Sequence, residues 1–299
     1  MASQTAMFQE HTLTPTTREG TIWRYIPMYG TPLHFHPQVE FLVMLRGSAR
    51  ARIGHSIHAV SAGHLVWQLP GIEHELTDIS SDCDFRVIQV EPDICAEVGQ
   101  LFRNETSARA PGSGNYFSSW SRELGWLVSG RPVVELKRAD LDKIRDHCEL
   151  TCDDARISPA QSALGIRGAL EKAWRATRAD HDDLRANSVV ELACCLLLEQ
   201  PSLERSAVCR ALDVSESYLS RRFQAELGVS FLEQRSRLRV AHFVSQVTRE
   251  GRNYLDAALR AGFGSYSQLH RVFAHLVHVS PKHYFAGECR NVRSRQNKI

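Results

Sequence analysis

Residues 215–230 read SESYLSRRFQAELGVS, and residues 265–280 read SYSQLHRVFAHLVHVS. Ser215, Ser217, Leu219, Arg221, Phe223, Val229 and Ser230 thus recur at an offset of 50 as Ser265, Ser267, Leu269, Arg271, Phe273, Val279 and Ser280. A fixed-offset repeat marks one supersecondary unit used twice. Ser215 stands where a helix N-cap belongs, because its hydroxyl can accept a backbone N–H of the first turn. Leu219, Phe223 and Leu227 follow at i, i+4 and i+8, which predicts a buried stripe. Ser217, Ser220, Arg221 and Gln224 are left on the solvent face. The second copy anchors on Leu269 and Phe273 and turns Ser267, Gln268, His270 and Arg271 outward. A short helix with a polar, arginine-bearing face can enter a DNA major groove, where arginine makes bidentate bonds to guanine. These eight outward side chains are therefore expected to contact duplex DNA. Ahead of the second copy, Gly262 is expected at positive φ in a tight turn. Asp213 holds the matching place, at an offset of 49. A plain helical bundle accounts for one such pattern, but poorly for two with matching caps, anchors and arginines.

The charge distribution points the same way. From residue 200 onward there are 16 Lys/Arg against 8 Asp/Glu, whereas the preceding residues hold 20 against 26. The overall balance of +2 therefore hides a basic C-terminal part behind an acidic N-terminal one, as nucleic-acid binding by one half would leave. Residues 1–17 have neither a basic start nor an apolar core, so no secretory leader is expected. The longest apolar stretch, Val189–Leu198, is about half of what would span a bilayer, so no membrane partner is expected. Eight cysteines without a CxxC pair suit a reduced cytoplasmic protein.

Toward the N-terminus the pattern changes. Residues 20–92 read as short β segments, among them Val39–Leu45, Ala49–Ile53, Ser56–Val60, Leu65–Leu69 and Phe85–Val90, with turns at Gly54, Gly63 and Pro70-Gly71. That rhythm predicts an antiparallel sandwich or barrel, and Pro-Gly-Ser-Gly at 111–114 a loop. Leu141, Ile144 and Cys148, and then Ile166, Leu170 and Trp174, make helical stripes, with Ser158-Pro159 as a helix start. These helices would connect the halves and offer a dimer surface, with a hinge at 178–185. Within the β region, His34, His36, Glu40 and His74 form either a candidate ligand set for a divalent transition metal or polar groups lining an effector pocket without one. In one straight strand His34 and Glu40 would stand about 20 Å apart, so the chain must turn between them, and Pro37-Gln38 is the natural place. His74 must come from a separate strand. Trp23, Tyr25, Phe35 and Trp67 could wall a small-molecule pocket, and Arg46 could face an anionic effector.

The C-terminal residues resemble the AraC/XylS family of transcription regulators over about 185–287. The resemblance includes the linker segment Arg237–Ala241 and the endings Gly228-Val229-Ser230 and Val279-Ser280-Pro281. It implies two helix-turn-helix units joined by a long helix, about Phe231–Val247, with recognition helices entering successive major grooves about 34 Å apart. Gln268 and Leu269 stand where that family often has aromatics, and His278 replaces its usual glycine. His34-x-His36-x3-Glu40-x6-Gly47, followed by Gly63, Gly71 and His74, resembles the two cupin motifs, with Leu69 in place of a typical proline. The resemblances imply an α+β multidomain protein: a cupin-like double-stranded β-barrel sensor (15–135), a helical connector (136–184), an all-α domain with two helix-turn-helix units (185–287) and a disordered tail (288–299). They imply a non-enzymatic, effector-responsive regulator that binds as a homodimer and can meet RNA polymerase. The competing reading is a metal-dependent cupin enzyme tethered to DNA by its C-terminal half.

Overall fold

A computed structural model describes residues 19–25, 31–36, 38–92, 94, 95, 97, 98, 132–150, 158–180, 189–250 and 253–286. The expected loop at 111–114, the tail 288–299 and residues 181–185 of the expected hinge lie outside these residues, and 178–180 end a helix. The N-terminal strands are β1 (Gly20–Tyr25), β2 (Thr31–His34), β3 (Val39–Arg46), β4 (Ser48–Ile53), β5 (Ser56–Ser61), β6 (His64–Gln68), β7 (His74–Thr77), β8 (Asp84–Val90) and β9 (Val133–Glu135). They form two antiparallel sheets, ordered β1-β8-β3-β6-β9 and β2-β7-β4-β5. Because successive side chains of a strand point to opposite faces, β3 divides its residues between two cores. Leu42 and Met44 join Ala51, Val60, Leu76 and Phe85 in the cluster drawn from both sheets. Val39, Phe41 and Val43 face the other way and are covered by helices.

Those covering helices are α1 (Arg138–Glu149) and α2 (Pro159–Asp180). Their stripes, Leu141, Ile144 and Cys148, then Ile166, Leu170 and Trp174, are buried in the same cluster as Phe41 and Trp67. The Trp67 indole N–H donates to the Thr177 hydroxyl at 3.0 Å, so its one polar atom is satisfied inside that layer. The helices expected to bridge the two halves thus lie on the outer face of the five-stranded sheet, where apolar β3 and β6 side chains need a cover.

The C-terminal part comprises α3 (Val189–Glu199), α4 (Arg205–Leu212), α5 (Glu216–Leu227), α6 (Phe231–Glu250), α7 (Tyr254–Arg260), α8 (Tyr266–Val277) and α9 (Pro281–Ala286). The two halves of the repeat become α5 and α8, each 12 residues long. Ser215 accepts from the Tyr218 N–H at 3.2 Å, and Ser265 accepts from the Gln268 N–H at 3.1 Å. Both helices end in a left-handed residue, Gly228 and His278 respectively. The turn before α5 passes through Asp213 at φ 54, and the turn before α8 through Gly262 at φ 83. At Gly262 a Cβ would lie 2.7 Å from the Pro201 carbonyl oxygen, so glycine is required there by space as well as by conformation. The early part of α6 packs with the first unit, and its later part, from Val240, builds the core of the second with Phe263, Leu269, Phe273 and Tyr284. No described helix is long and apolar enough to cross a membrane. The six cysteines among the described residues are buried and unbridged.

Candidate functional site

Two constellations carry the chemistry. The first is the outer face of the paired helices. Leu219 and Phe223 of α5, and Leu269 and Phe273 of α8, are fully buried. That fixes the rotation of each helix and leaves Ser217, Arg221, Gln224, Ser267, Gln268, His270 and Arg271 exposed, with Ser220 half-buried. Arg221 and Arg271 make no ion pair with a described residue, so their guanidinium donors are not committed to a neighbouring carboxylate. Three of the eight side chains make local hydrogen bonds, the Ser217 hydroxyl lying 3.2 Å from that of Ser215. The Gln268 side-chain amide oxygen accepts the Gly264 N–H at 2.8 Å while its backbone N–H is held by the Ser265 hydroxyl, so Gln268 ties down the residue before the N-cap. Gln224 donates from its amide to the Gly228 carbonyl at 3.0 Å, closing the end of α5. The Ser-x-x-Gln spacing 265–268 is the sequence signal for the capping role of Gln268.

The second constellation sits where the two sheets of the barrel meet. β2 belongs to one sheet and β3 to the other, so the chain crosses between them after His34. His34 pairs in register with His74 across β2 and β7, which brings the separate strand to the first two histidines. The rings of His34 and His74 stand 4.3 Å apart and those of His36 and His74 4.9 Å apart, centroid to centroid. One ring nitrogen from each of the three can be chosen so that all lie within 4.8 Å of one another. Glu40 closes the group, with a carboxylate oxygen 3.1 Å from His36 Nε2 and the other 3.9 Å from His74 Nε2.

The surroundings hold these rings in one orientation. His36 Nδ1 lies 3.2 Å from the Gln38 carbonyl and His74 Nδ1 lies 2.9 Å from the Ile72 carbonyl, which points both Nε2 atoms at the centre of the group. His74 Nε2 is buried and has no hydrogen-bond partner. Burial, reinforced by the neighbouring His34 and His36, drives the His74 imidazole well below its ordinary value and keeps it neutral. For Glu40, burial raises the pKa, but the His36 hydrogen bond and the electrostatic influence of the adjoining histidines, His36 first, outweigh it and bring it to about 2. Three convergent imidazoles, a buried carboxylate and a buried His74 nitrogen without a hydrogen-bond partner are a donor set of the kind that divalent transition metals take, so the set fits such an ion. Gln89, opposite Glu40 on β8, donates to the carboxylate at 2.8 Å. Its role depends on strand register, which the residue pattern did not specify.

Of the other side chains expected around an effector, Trp23 and Tyr25 pack against the cluster between the sheets, whereas Trp67, Phe35 and Arg46 lie elsewhere. Trp67 is buried on the helix-covered face, because Glu40 pairs in register with Gln68 and adjacent residues on β6 point to opposite faces. Phe35, flanked by the two histidines, packs away from them. Arg46 is at the far end of β3, two-thirds exposed and 3.6 Å from Asp84. None of the three joins the histidine group.

A two-sheet barrel holding a buried histidine–carboxylate cluster, followed by two capped helix-turn-helix units, is a two-part helix-turn-helix architecture. Comparisons with known proteins place it within one family. Residues 7–129 match the AraC-like ligand binding domain, and residues 208–287 match a helix-turn-helix domain. The chain belongs to the AraC-type helix-turn-helix transcription regulators with an N-terminal ligand-binding domain. Among curated proteins it is similar to an uncharacterised HTH-type transcriptional regulator of Staphylococcus aureus (strain MSSA476), with 37% identity over 70 residues. That match covers 23% of this chain and spans only 9% of the relative's length. Among solved structures, ToxT from Vibrio cholerae matches at a TM-score of 0.47 and 14% identity, over 89% of this chain and 97% of that one. The AraC-like transcriptional activator CuxR matches at 0.34 and 15%, over 76% and 72%.

Proposed function

We propose that this chain controls transcription by binding one face of a DNA duplex through α5 and α8, under the control of a small effector or metal ion taken up at His34, His36, Glu40 and His74. The observation that carries the reading is the pair of equal, serine-capped helices, each held by a buried Leu/Phe pair and presenting an exposed arginine. Arg221 and Arg271 read base edges, with Ser217, Ser220, Ser267 and His270 beside them. Gln224 and Gln268 contribute mainly by fixing the helix ends. The units differ at Ser220 against His270 and at Gln224 against Ala274, so they read different bases.

At the barrel site a divalent transition metal, when bound, supplies a Lewis-acidic centre to which an anionic or carbonyl-bearing effector can add. The chain's own residues provide the three imidazoles, the carboxylate and a buried setting. A sensing role is favoured over turnover because the N-terminal match is to a ligand-binding domain. We place the protein in the cytoplasm, acting as a homodimer through the exposed side of α1 and α2, where Leu164 is 67% exposed. In this reading an activator's contact with RNA polymerase is a further partner. Light scattering of the purified chain tests the dimer.

The central test is selection of bound duplexes from a randomised pool, followed by titration of single-base variants with wild type and Arg271→Ala. Losing Arg271 is expected to cost about 1–3 kcal/mol and to relax preference at one position. Uniform weakening on every sequence would make Arg271 a phosphate contact instead, and the absence of any selected sequence would overturn sequence-specific binding.

A further inference from the structure

The histidine cluster is mechanically tied to the helix that both DNA-reading units share. His34-Phe35-His36 places two rings in the cluster and sends the middle side chain the other way. Phe35 is 1% exposed and belongs to one buried apolar cluster with Val240, Phe243, Phe273, Tyr284 and others of the second helix-turn-helix core. It is the only barrel residue in that cluster among the described residues. Arg237 of α6 lies over the Phe35 ring at 5.8 Å. Its guanidinium pairs at 2.9 Å with Glu73, the residue next to His74, and at 2.7 Å with Glu233 of its own helix. With 8% of its side chain exposed, this arginine is a buried charge whose partners lie on both sides of the junction. One turn before it, the Gln234 amide donates to the Gly71 carbonyl at 2.8 Å. Gly71 approaches so closely that a Cβ there would lie 2.4 Å from Leu238. Gln234, Arg237 and Leu238 fall at i, i+3 and i+4, so one face of α6 is gripped by residues 35, 71 and 73. Each of the three is within three residues of a cluster histidine.

We infer that Arg237 and Phe35 form a clasp that couples occupancy of the His34/His36/His74 cluster to engagement of DNA. The inference rests on the reading of that cluster as the effector site and names the route by which it acts. An ion or effector that reorients His34, His36 or His74 must move Phe35 and Glu73 with them. Those two residues hold α6, whose position sets how the recognition helices stand to one another. Arg237 touches neither ligand nor DNA in this scheme; it is a positioning residue. Linkage then requires the effect to run both ways, with DNA altering the cluster by the factor by which the cluster alters DNA affinity.

The test uses the full chain, Zn²⁺ as probe and a duplex selected as above, with Arg237→Gln, Glu73→Gln and Phe35→Leu. The last leaves every charge in place and guards against a folding defect. In wild type, Zn²⁺ is expected to change duplex affinity by a factor within roughly 5–150, and the duplex to change Zn²⁺ affinity equally. In the variants both ligands still bind, but the factor falls toward one. An unchanged factor in all three variants, or a factor of one in wild type that binds Zn²⁺, overturns the clasp. If wild type binds no Zn²⁺, the metal part of the site reading fails by itself, and hydrogen exchange decides the clasp. Protection of residues 33–36 and 71–76 should then change when the duplex is added to wild type and stay constant in Arg237→Gln. No change in wild type overturns it.

Discussion

At the scale of single residues, two positions expose what the repeat costs to maintain. Gly228 and His278 are the same position in the two units, both left-handed at φ 68 and φ 61. A side chain with a Cβ in that conformation costs about 1–2 kcal/mol, which glycine avoids. His278→Gly is therefore expected to stabilise the protein by roughly 0.5–1 kcal/mol after allowing for the freer unfolded chain, measured by urea unfolding. An unchanged or lower midpoint would mean that the imidazole makes a compensating contact. In the barrel, Asp84 at the start of β8 is held by charge. Burial raises its carboxyl pKa, but hydrogen bonds from Arg86 at 2.7 Å and Arg24 at 3.1 and 3.0 Å outweigh that, so it lies below its ordinary value of 3.8. A carboxylate with a depressed folded pKa lends stability that is fully present above its unfolded value and is lost as pH falls through the folded one. Asp84→Asn is thus expected to be destabilised at pH 7, with the gap from wild type closing as pH drops below 3.8. A gap independent of pH would point to geometry, not charge, as the cause.

At the scale of elements, α5 and α8 separate stability from recognition. Removing a cap by Ser265→Ala should cost about 1 kcal/mol of stability, and Ser215→Ala about the same. Phe273→Ala empties a fully buried site and should cost about 3–5 kcal/mol, whereas Arg271→Ala, at an exposed position with no ion pair to a described residue, should leave the unfolding midpoint nearly unchanged. Equal destabilisation by both would mean that Arg271 has a structural role. These helices were legible in the sequence because caps, anchors and C-terminal turns act within a dozen residues. The histidine group was legible as a residue set, and the need for a turn between His34 and Glu40 followed from strand length alone. Other features required contacts that no local pattern records. Gln234 meets Gly71 across 163 positions, and Trp67 meets Thr177 across 110. For the same reason Phe35 and Trp67, aromatics near a histidine motif, invited assignment to the pocket. Strand alternation and the demand of a neighbouring core turned both away.

At the scale of the whole molecule, α6 decides whether the two units act as one. Its 20 residues span about 30 Å at 1.5 Å per residue, close to the roughly 34 Å between successive major grooves on one face of the duplex. Its early part is buried in the first unit's core and its later part in the second's, so neither unit can swing without breaking packing. A rigid spacer of that length accepts one phase of the DNA. Inserting five base pairs between the two contacted grooves rotates one site by half a turn and carries it out of reach. Binding by a single subunit should then fall by roughly 10²-fold or more, the advantage that linking two sites supplies. It should also lose the smaller salt dependence contributed by the phosphates of the stranded unit. Titrating wild type against the selected duplex and its five-base-pair insertion, at two salt concentrations, measures both. Equal affinity for the two duplexes would show that one unit carries all the binding and that α6 is not a ruler. A drop in affinity with an unchanged salt slope would show that the second unit reads bases without holding the backbone.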